Sequence, residues 1–76
     1  MSLAIVLVSS EAGKESELLE RLRRIKNVKE AHIVYGVYDI VVKIEARGLD
    51  ELRDVISRQI RRLEGVRSTI TLLVVS

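Results

Sequence analysis

Ala31-His32-Ile33-Val34-Tyr35-Gly36-Val37-Tyr38-Asp39-Ile40-Val41-Val42-Lys43-Ile44 sets two apolar, β-branched runs on either side of a single glycine. Such runs around a Gly, with Asp close behind, predict adjacent strands joined by a tight reversal. The same residues form a polar notch in which bare main chain lies beside an aromatic ring. The remainder of the chain reads as a scaffold for that notch.

Upstream, Leu3-Ala4-Ile5-Val6-Leu7-Val8 is a continuous apolar run, too short for a helix and bounded by Ser9 and Ser10. It predicts a strand buried on both faces, and Glu11 to Lys14 make the turn that leaves it. From Lys14 to Ile25 the apolar residues Leu18, Leu19, Leu22 and Ile25 keep helical spacing. Glu15 and Glu17 open this helix, while Arg21, Arg23, Arg24 and Lys26 crowd its end, each sign complementing the helix dipole. The basic cluster reads as a solvated helix end before it reads as a nucleic-acid patch. Asn27 is the expected left-handed cap. Strands follow from Val28 to Tyr35 and from Tyr38 to Ala46.

Arg47-Gly48 breaks the chain again. A second helix is expected from Leu49 to Leu63, with Leu52, Val55, Ile56, Ile60 and Leu63 on one side. Asp50 and Glu51 start it and Arg58, Arg61 and Arg62 end it. Gly65 is the expected cap and Val66 to Val75 the last strand. The order β-α-β-β-α-β predicts a ferredoxin-like α+β sandwich, a four-stranded antiparallel sheet with both helices on one face.

Two helices cover one face of such a sheet. Leu3, Ile5, Leu7, Ile40, Val42, Ile44, Ile70, Leu72 and Val74 are assigned to the helix side. The alternate positions Ala4, Val6, Val8, Val34, Val41, Leu73 and Val75 are also apolar, with Glu30, His32, Lys43 and Glu45 polar toward one side. An apolar patch on the second face marks an interaction surface, so a homodimer at least is expected. At 76 residues the chain is a single domain that buries a small share of its surface, and it has no cysteine to staple it. Association is the remaining supplement.

Composition excludes several function classes. The net charge of +2 is too mild to imply a polyanion partner. No stretch approaches the ~18 apolar residues of a membrane span, and a cytoplasmic location is the default expectation. No Cys/His set has metal-ligand spacing, no Walker-type loop occurs, and no cofactor is expected. His32 is a lone strand histidine, and the paired acids sit in first helical turns where the dipole accounts for them. Stacking of RNA on the sheet lacks its aromatics, since the chain has no Phe or Trp and only Tyr35 and Tyr38.

The notch is more informative. Gly36 lets a ligand approach the backbone, loop amides can bond a carboxylate, Asp39 can meet an ammonium, and Tyr38 offers an apolar wall. A small zwitterion needs all of these together. An ordinary hairpin whose Asp bonds its own backbone explains the same residues equally well.

Gly36-Val37-Tyr38-Asp39 before an apolar strand resembles the Gly-x-Tyr-Asp hairpin of the Lrp/AsnC effector domain, also called the RAM domain. Leu63-Glu64-Gly65-Val66 followed by Thr69-Ile70-Thr71 is similar to its second signature, and Val28-Lys29-Glu30-Ala31 to its hairpin entry. The resemblance runs from Ala4 to Val75. It implies a domain that dimerises through its sheet, assembles further into rings, commonly octamers, and binds a free amino acid between dimers. On the matched positions, the main chain of Gly36, Val37 and Tyr38 would hold the ligand's α-groups. Asp39 would orient the loop or meet the ammonium, and Ser68, Thr69 and Thr71 would line the pocket. The first strand begins almost at Met1 and no helix-turn-helix precedes it. Stand-alone members are therefore the nearer comparison, direct DNA binding is not expected, and full-length Lrp/AsnC regulators become candidate partners. The implied role is a non-catalytic, amino-acid-sensing domain. The rival expectations are a small dimeric α/β-barrel enzyme using His32 in an apolar pocket, and a ligand-free oligomerisation module.

Overall fold

The computed structural model describes residues 1–75. Its elements follow the expected order: β1 (Ser2–Ser10), α1 (Glu15–Arg23), β2 (Val28–Ile33), β3 (Ile40–Ala46), α2 (Leu49–Asp54) and β4 (Val66–Leu73). A π-helical segment, Val55–Ile60, continues α2. The strands form one four-stranded antiparallel sheet in the order β2-β3-β1-β4, so β2 and β4 are its edges. This is the ferredoxin-like fold.

The core lies between one sheet face and the helices. Ala4, Val6, Val8, Ile40, Val42, Ile44, Ala31 and Ala46 meet Leu18, Leu22, Leu52, Val55, Ile56 and Ile60, all buried. Burying one such Val, Leu or Ile stabilises the fold by roughly 1.5–3 kcal/mol. Small residues at 4, 31 and 46 let the helices sit close to the sheet.

The phase of β1 is opposite to the sequence assignment. Ala4, Val6 and Val8 face the helices, and Leu3, Ile5 and Leu7 face away. Direct pairing of Val6 with Thr71 and of Val8 with Thr69 carries the same correction into β4. There Thr69, Thr71 and Leu73 share the helix side, whereas Ile70 and Leu72 pair with Leu7 and Ile5 on the other. The assignment holds in β3. Both alternations of β1 are apolar, so its sequence carries no period-2 signal to fix the face. β4 is an edge strand whose outer half the helices do not cover, which leaves threonines on that side.

Three boundaries also move. The connection between β2 and β3 is a longer bend, closed by Val34 N–H donating to Asp39 O at 2.8 Å, and not a two-residue reversal. Helix α1 ends at Arg23, and among the described residues no non-glycine has a positive φ, so Asn27 is not a left-handed cap. Asn27 instead clamps the turn to β3: its Nδ2 donates to Glu45 O at 2.9 Å, and Glu45 N–H returns a bond at 3.0 Å. The second helix changes register after Asp54, and Arg61 N–H bonds back five residues to Ile56 O at 2.9 Å. Gly13 and Gly65 do supply left-handed turns, with φ of 82° and 101°.

Two of the four residues in the basic cluster are engaged within the chain. Arg23 donates twice to Ala31 O, at 2.7 and 3.2 Å, pinning α1 to β2. Arg21 approaches Glu17 and Glu64. No helix among the described residues is long and apolar enough to cross a membrane.

Candidate functional site

The bend Tyr35–Asp39 projects from the end of the sheet at the β3 start. It is tied down at its C-terminal side by Asp39. The Asp39 amide donates to Val8 O at 3.0 Å, and its Oδ2 accepts from Ser10 N–H at 2.8 Å. Ser10 is buried just beyond the last β1–β3 pair, Val8 with Ile40, so its amide, which faces the β3 side, has no strand partner. The carboxylate supplies that partner, as a buried donor requires. Asp39 thus orients the loop through another strand's backbone, and not through its own as an ordinary hairpin would.

The rest of the loop faces outward. Tyr35 and Val37 are fully exposed, at 106% and 91%, while Tyr38 is half-buried. Among the described residues, the amides of Tyr35, Gly36, Val37 and Tyr38 donate to no group of the chain. Gly36 has no left-handed φ, and a Cβ built on it meets nothing within 4 Å. Neither the turn nor the packing of one chain requires a glycine there.

Ser68, Thr69 and Thr71 lie on the far side of β1. Asp39 bonds Val8 from the β3 side, and Thr69 pairs with Val8 from the β4 side. Two strand spacings, about 10 Å, therefore separate them. Thr69 and Thr71 share the helix face, whereas Ser68 pairs with Ser9 on the other. Arg61, Val66, Arg67, Ser68 and Thr69 line a cavity of about 300 Å³. Next to it, Arg53, Ile56, Ser57, Arg61 and Thr71 line one of about 400 Å³. Residues 36–39 line neither. One chain therefore assembles the hydroxyls into one wall and the loop into another, without joining them.

Two site residues escape a reading of the sequence. Ser10 is revealed only by the point at which the β1–β3 ladder stops. Arg61 looks like a helix-end cation, yet its Nε donates to Thr69 Oγ1 at 3.3 Å.

His32 is exposed on the uncovered face, opposite Val41, and its Nε2 lies 3.2 Å from Glu30 Oε1. Lys43 Nζ reaches the other Glu30 oxygen at 3.7 Å. The His32 hydrogen bond, with the Lys43 charge behind it, holds the Glu30 carboxyl below the ordinary glutamate range. The cavity at His32 is lined by Arg23, Val28, Lys29, Glu30 and Ala31, a charged rim and not the apolar pocket the enzyme alternative needs. Among the described residues, no three His, Cys, Asp or Glu side chains converge as a metal site.

The chain is 35% identical over 72 residues to the transcriptional regulator FL11 of Pyrococcus furiosus, covering 95% of this chain and 47% of that one. It thus spans about half the length of the curated regulators it matches. A homocitrate synthase of Saccharolobus islandicus is 44% identical over 59 residues, 78% of this chain but 13% of the synthase. The crystal structure of FFRP-DM1 superposes with a TM-score of 0.95 at 39% identity, over 99% of this chain and 100% of that one. A Neisseria meningitidis regulator solved as a complex with L-Met shares the fold, at a TM-score of 0.86 and 14% identity over 99% of this chain and 50% of that one. The family model for the Lrp/AsnC ligand binding domain matches residues 3–76. By that match and these relatives, the chain belongs to the Lrp/AsnC family and is its ligand-binding domain.

Proposed function

We propose that this domain senses a free amino acid at a site completed between subunits, and that it has a regulatory and not a catalytic role. The observation that carries it is the Tyr35–Tyr38 run of amides that, among the described residues, donate to no acceptor. Consecutive free amides beside a glycine form a concavity suited to a carboxylate. Gly36 fits the same purpose, since only something outside the chain has use for its missing side chain. The separation of loop and hydroxyls by β1 supports a crevice with one wall from each of two subunits. The L-Met complex of the Neisseria regulator supports an amino acid as the class of ligand.

The uncovered sheet face supports assembly. Leu3, Ile5, Leu7, Val41, Ile70 and Leu72 lie on it together, with Ile70 and Leu72 at 42% and 49% exposure. Packing two such faces makes a homodimer, and dimers meeting at the Gly36 loops make the ring, an octamer in our proposal. Ligand bound between dimers shifts the equilibrium between assemblies because its contacts differ among them. Full-length regulators that carry the same domain are the partners through which that shift reaches transcription.

A thermal-shift screen of the twenty amino acids tests this, with Asp39→Ala as the control that unpins the loop. A ligand raises the melting temperature with the logarithm of its saturation. One or a few amino acids should stabilise the protein and lose that effect in the variant. No shift with any of them at millimolar concentration rules out sensing.

A further inference from the structure

We infer that the effector is an amino acid with a second negative charge, aspartate or glutamate, and that Arg61 receives its side-chain carboxylate. This rests on the sensing role proposed above and names the ligand class for the same site. The two adjoining cavities over β4 are lined by Arg53, Arg61, Arg67, Ser57, Ser68, Thr69 and Thr71 together with two apolar residues, and by no carboxylate. Cavities elsewhere on the chain are mixed in sign, with Glu45 and Glu51 in one and Glu30 in another. Two other helix arginines are already paired, Arg58 with Asp54 at 3.0 Å and Arg21 with Glu17 and Glu64.

Arg61 is common to both cavities, and its Nε–H donates to Thr69 Oγ1 at 3.3 Å. A hydroxyl that accepts from a guanidinium turns its own proton outward, toward an acceptor. Thr69 and the remaining N–H groups of Arg61 therefore present donors and positive charge together, the combination that recognises a carboxylate fork. The backbone contributes too. Arg61 is the residue whose amide makes the five-residue bond to Ile56 O, at the end of the π-helical segment. Such segments are rare and recur at functional sites because they redirect the residues that follow.

The loop amides supply a second, separate receptor for an anion. With the α-carboxylate on those amides, Arg61 is left for the side chain. A lysine or arginine effector would bring a cation against three arginines and is disfavoured.

The test measures thermal stabilisation of the intact protein by L-glutamate, L-aspartate, L-glutamine, L-asparagine and L-lysine at matched ionic strength. Glutamate or aspartate should act at roughly tenfold lower concentration than its amide, and lysine should not act. Arg61→Gln should abolish that tenfold advantage, the response to the acid falling far more than the response to the amide, with Arg61→Lys intermediate. Arg61 is exposed, so these variants keep the core intact. If a neutral or basic amino acid stabilises the protein and the acidic ones do not, this inference fails while amino-acid sensing stands. Equal loss of every ligand in Arg61→Gln also overturns it, since Arg61 would then hold the α-carboxylate. Failure of all amino acids removes the sensing role itself.

Discussion

Asp39 Oδ2 accepts a 2.8 Å hydrogen bond from the amide of Ser10, a residue 29 positions away in the chain and 5% exposed. The bond joins the base of the exposed loop to the irregular end of the central strand. It does two things at once: it satisfies an amide of β1 that lies past the start of β3 and so has no ladder partner, and it fixes where the loop ends. Asp39→Ala should therefore cost about 1–3 kcal/mol in urea unfolding, the penalty for a buried donor left without an acceptor. Asp39→Asn keeps a neutral acceptor and should cost less. If both variants unfold at the parent midpoint, the bond holds neither the strand end nor the loop.

Gly36 and Gly65 should answer differently to the same substitution. At Gly36 the backbone is not left-handed and an added Cβ meets nothing, so Gly36→Ala should leave stability within about 0.5 kcal/mol. The expected loss is in effector affinity, because the new methyl lies where a ligand approaches main chain. At Gly65 φ is 101° and an added Cβ would lie 3.4 Å from Lys14 Cβ. Gly65→Ala should destabilise by about 1 kcal/mol or more. Denaturation curves and ligand titrations of the two variants separate the roles.

Glu30 sets a small acid dependence. Its folded-state pKa lies below the ordinary 4.5, first through the His32 hydrogen bond and then through the Lys43 charge. The unfolded chain then binds this proton more readily than the folded one. The stabilisation is present above the unfolded value and disappears as pH falls through the folded one. The group is exposed, so the effect is modest and screened by salt. Glu30→Gln should flatten the fall in melting temperature on acidification below about pH 4.5 and should change little at pH 7. An unchanged acid limb in the variant would assign that fall to other carboxylates.

Much of this architecture is legible in the sequence, and the exceptions have physical causes. Leu18 and Leu22, the acid-first and base-last charges, and Gly65 fix the elements because helix period and turn chemistry are local. The β1 face is not legible, since Leu3, Ile5 and Leu7 compete with Ala4, Val6 and Val8 without a polar residue to break the tie. The β4 face misleads for a related reason. Ile70 and Leu72 look like core, but the helices do not cover the outer part of that strand, and the half-buried Thr69 and exposed Thr71 lie on its helix side. At the candidate site, the Gly36–Asp39 motif is readable, whereas Ser10 and Arg61 depend on where the β1–β3 ladder stops and on a π-helical turn, which no residue pattern announces.

The misplaced faces strengthen the expectation of assembly. In β1 the helix-facing side chains are Ala4, Val6 and Val8, and the larger Leu3, Ile5 and Leu7 point away from the helices. A monomer would gain nothing from placing its bulk on the wet side. Ile5 and Leu72 are direct cross-strand partners near the centre of that face. Leu72→Glu sets a charge there without disturbing the helix-side core. Burying an unpaired carboxylate costs several kcal/mol, more than one subunit contact can offset. Light scattering should show the parent as a dimer or larger and the variant shifted toward monomer. The melting temperature of the parent should rise with protein concentration, and that of the variant should not. A parent chain that stays monomeric at every concentration would leave the apolar face without an occupant and the ligand crevice without its second wall.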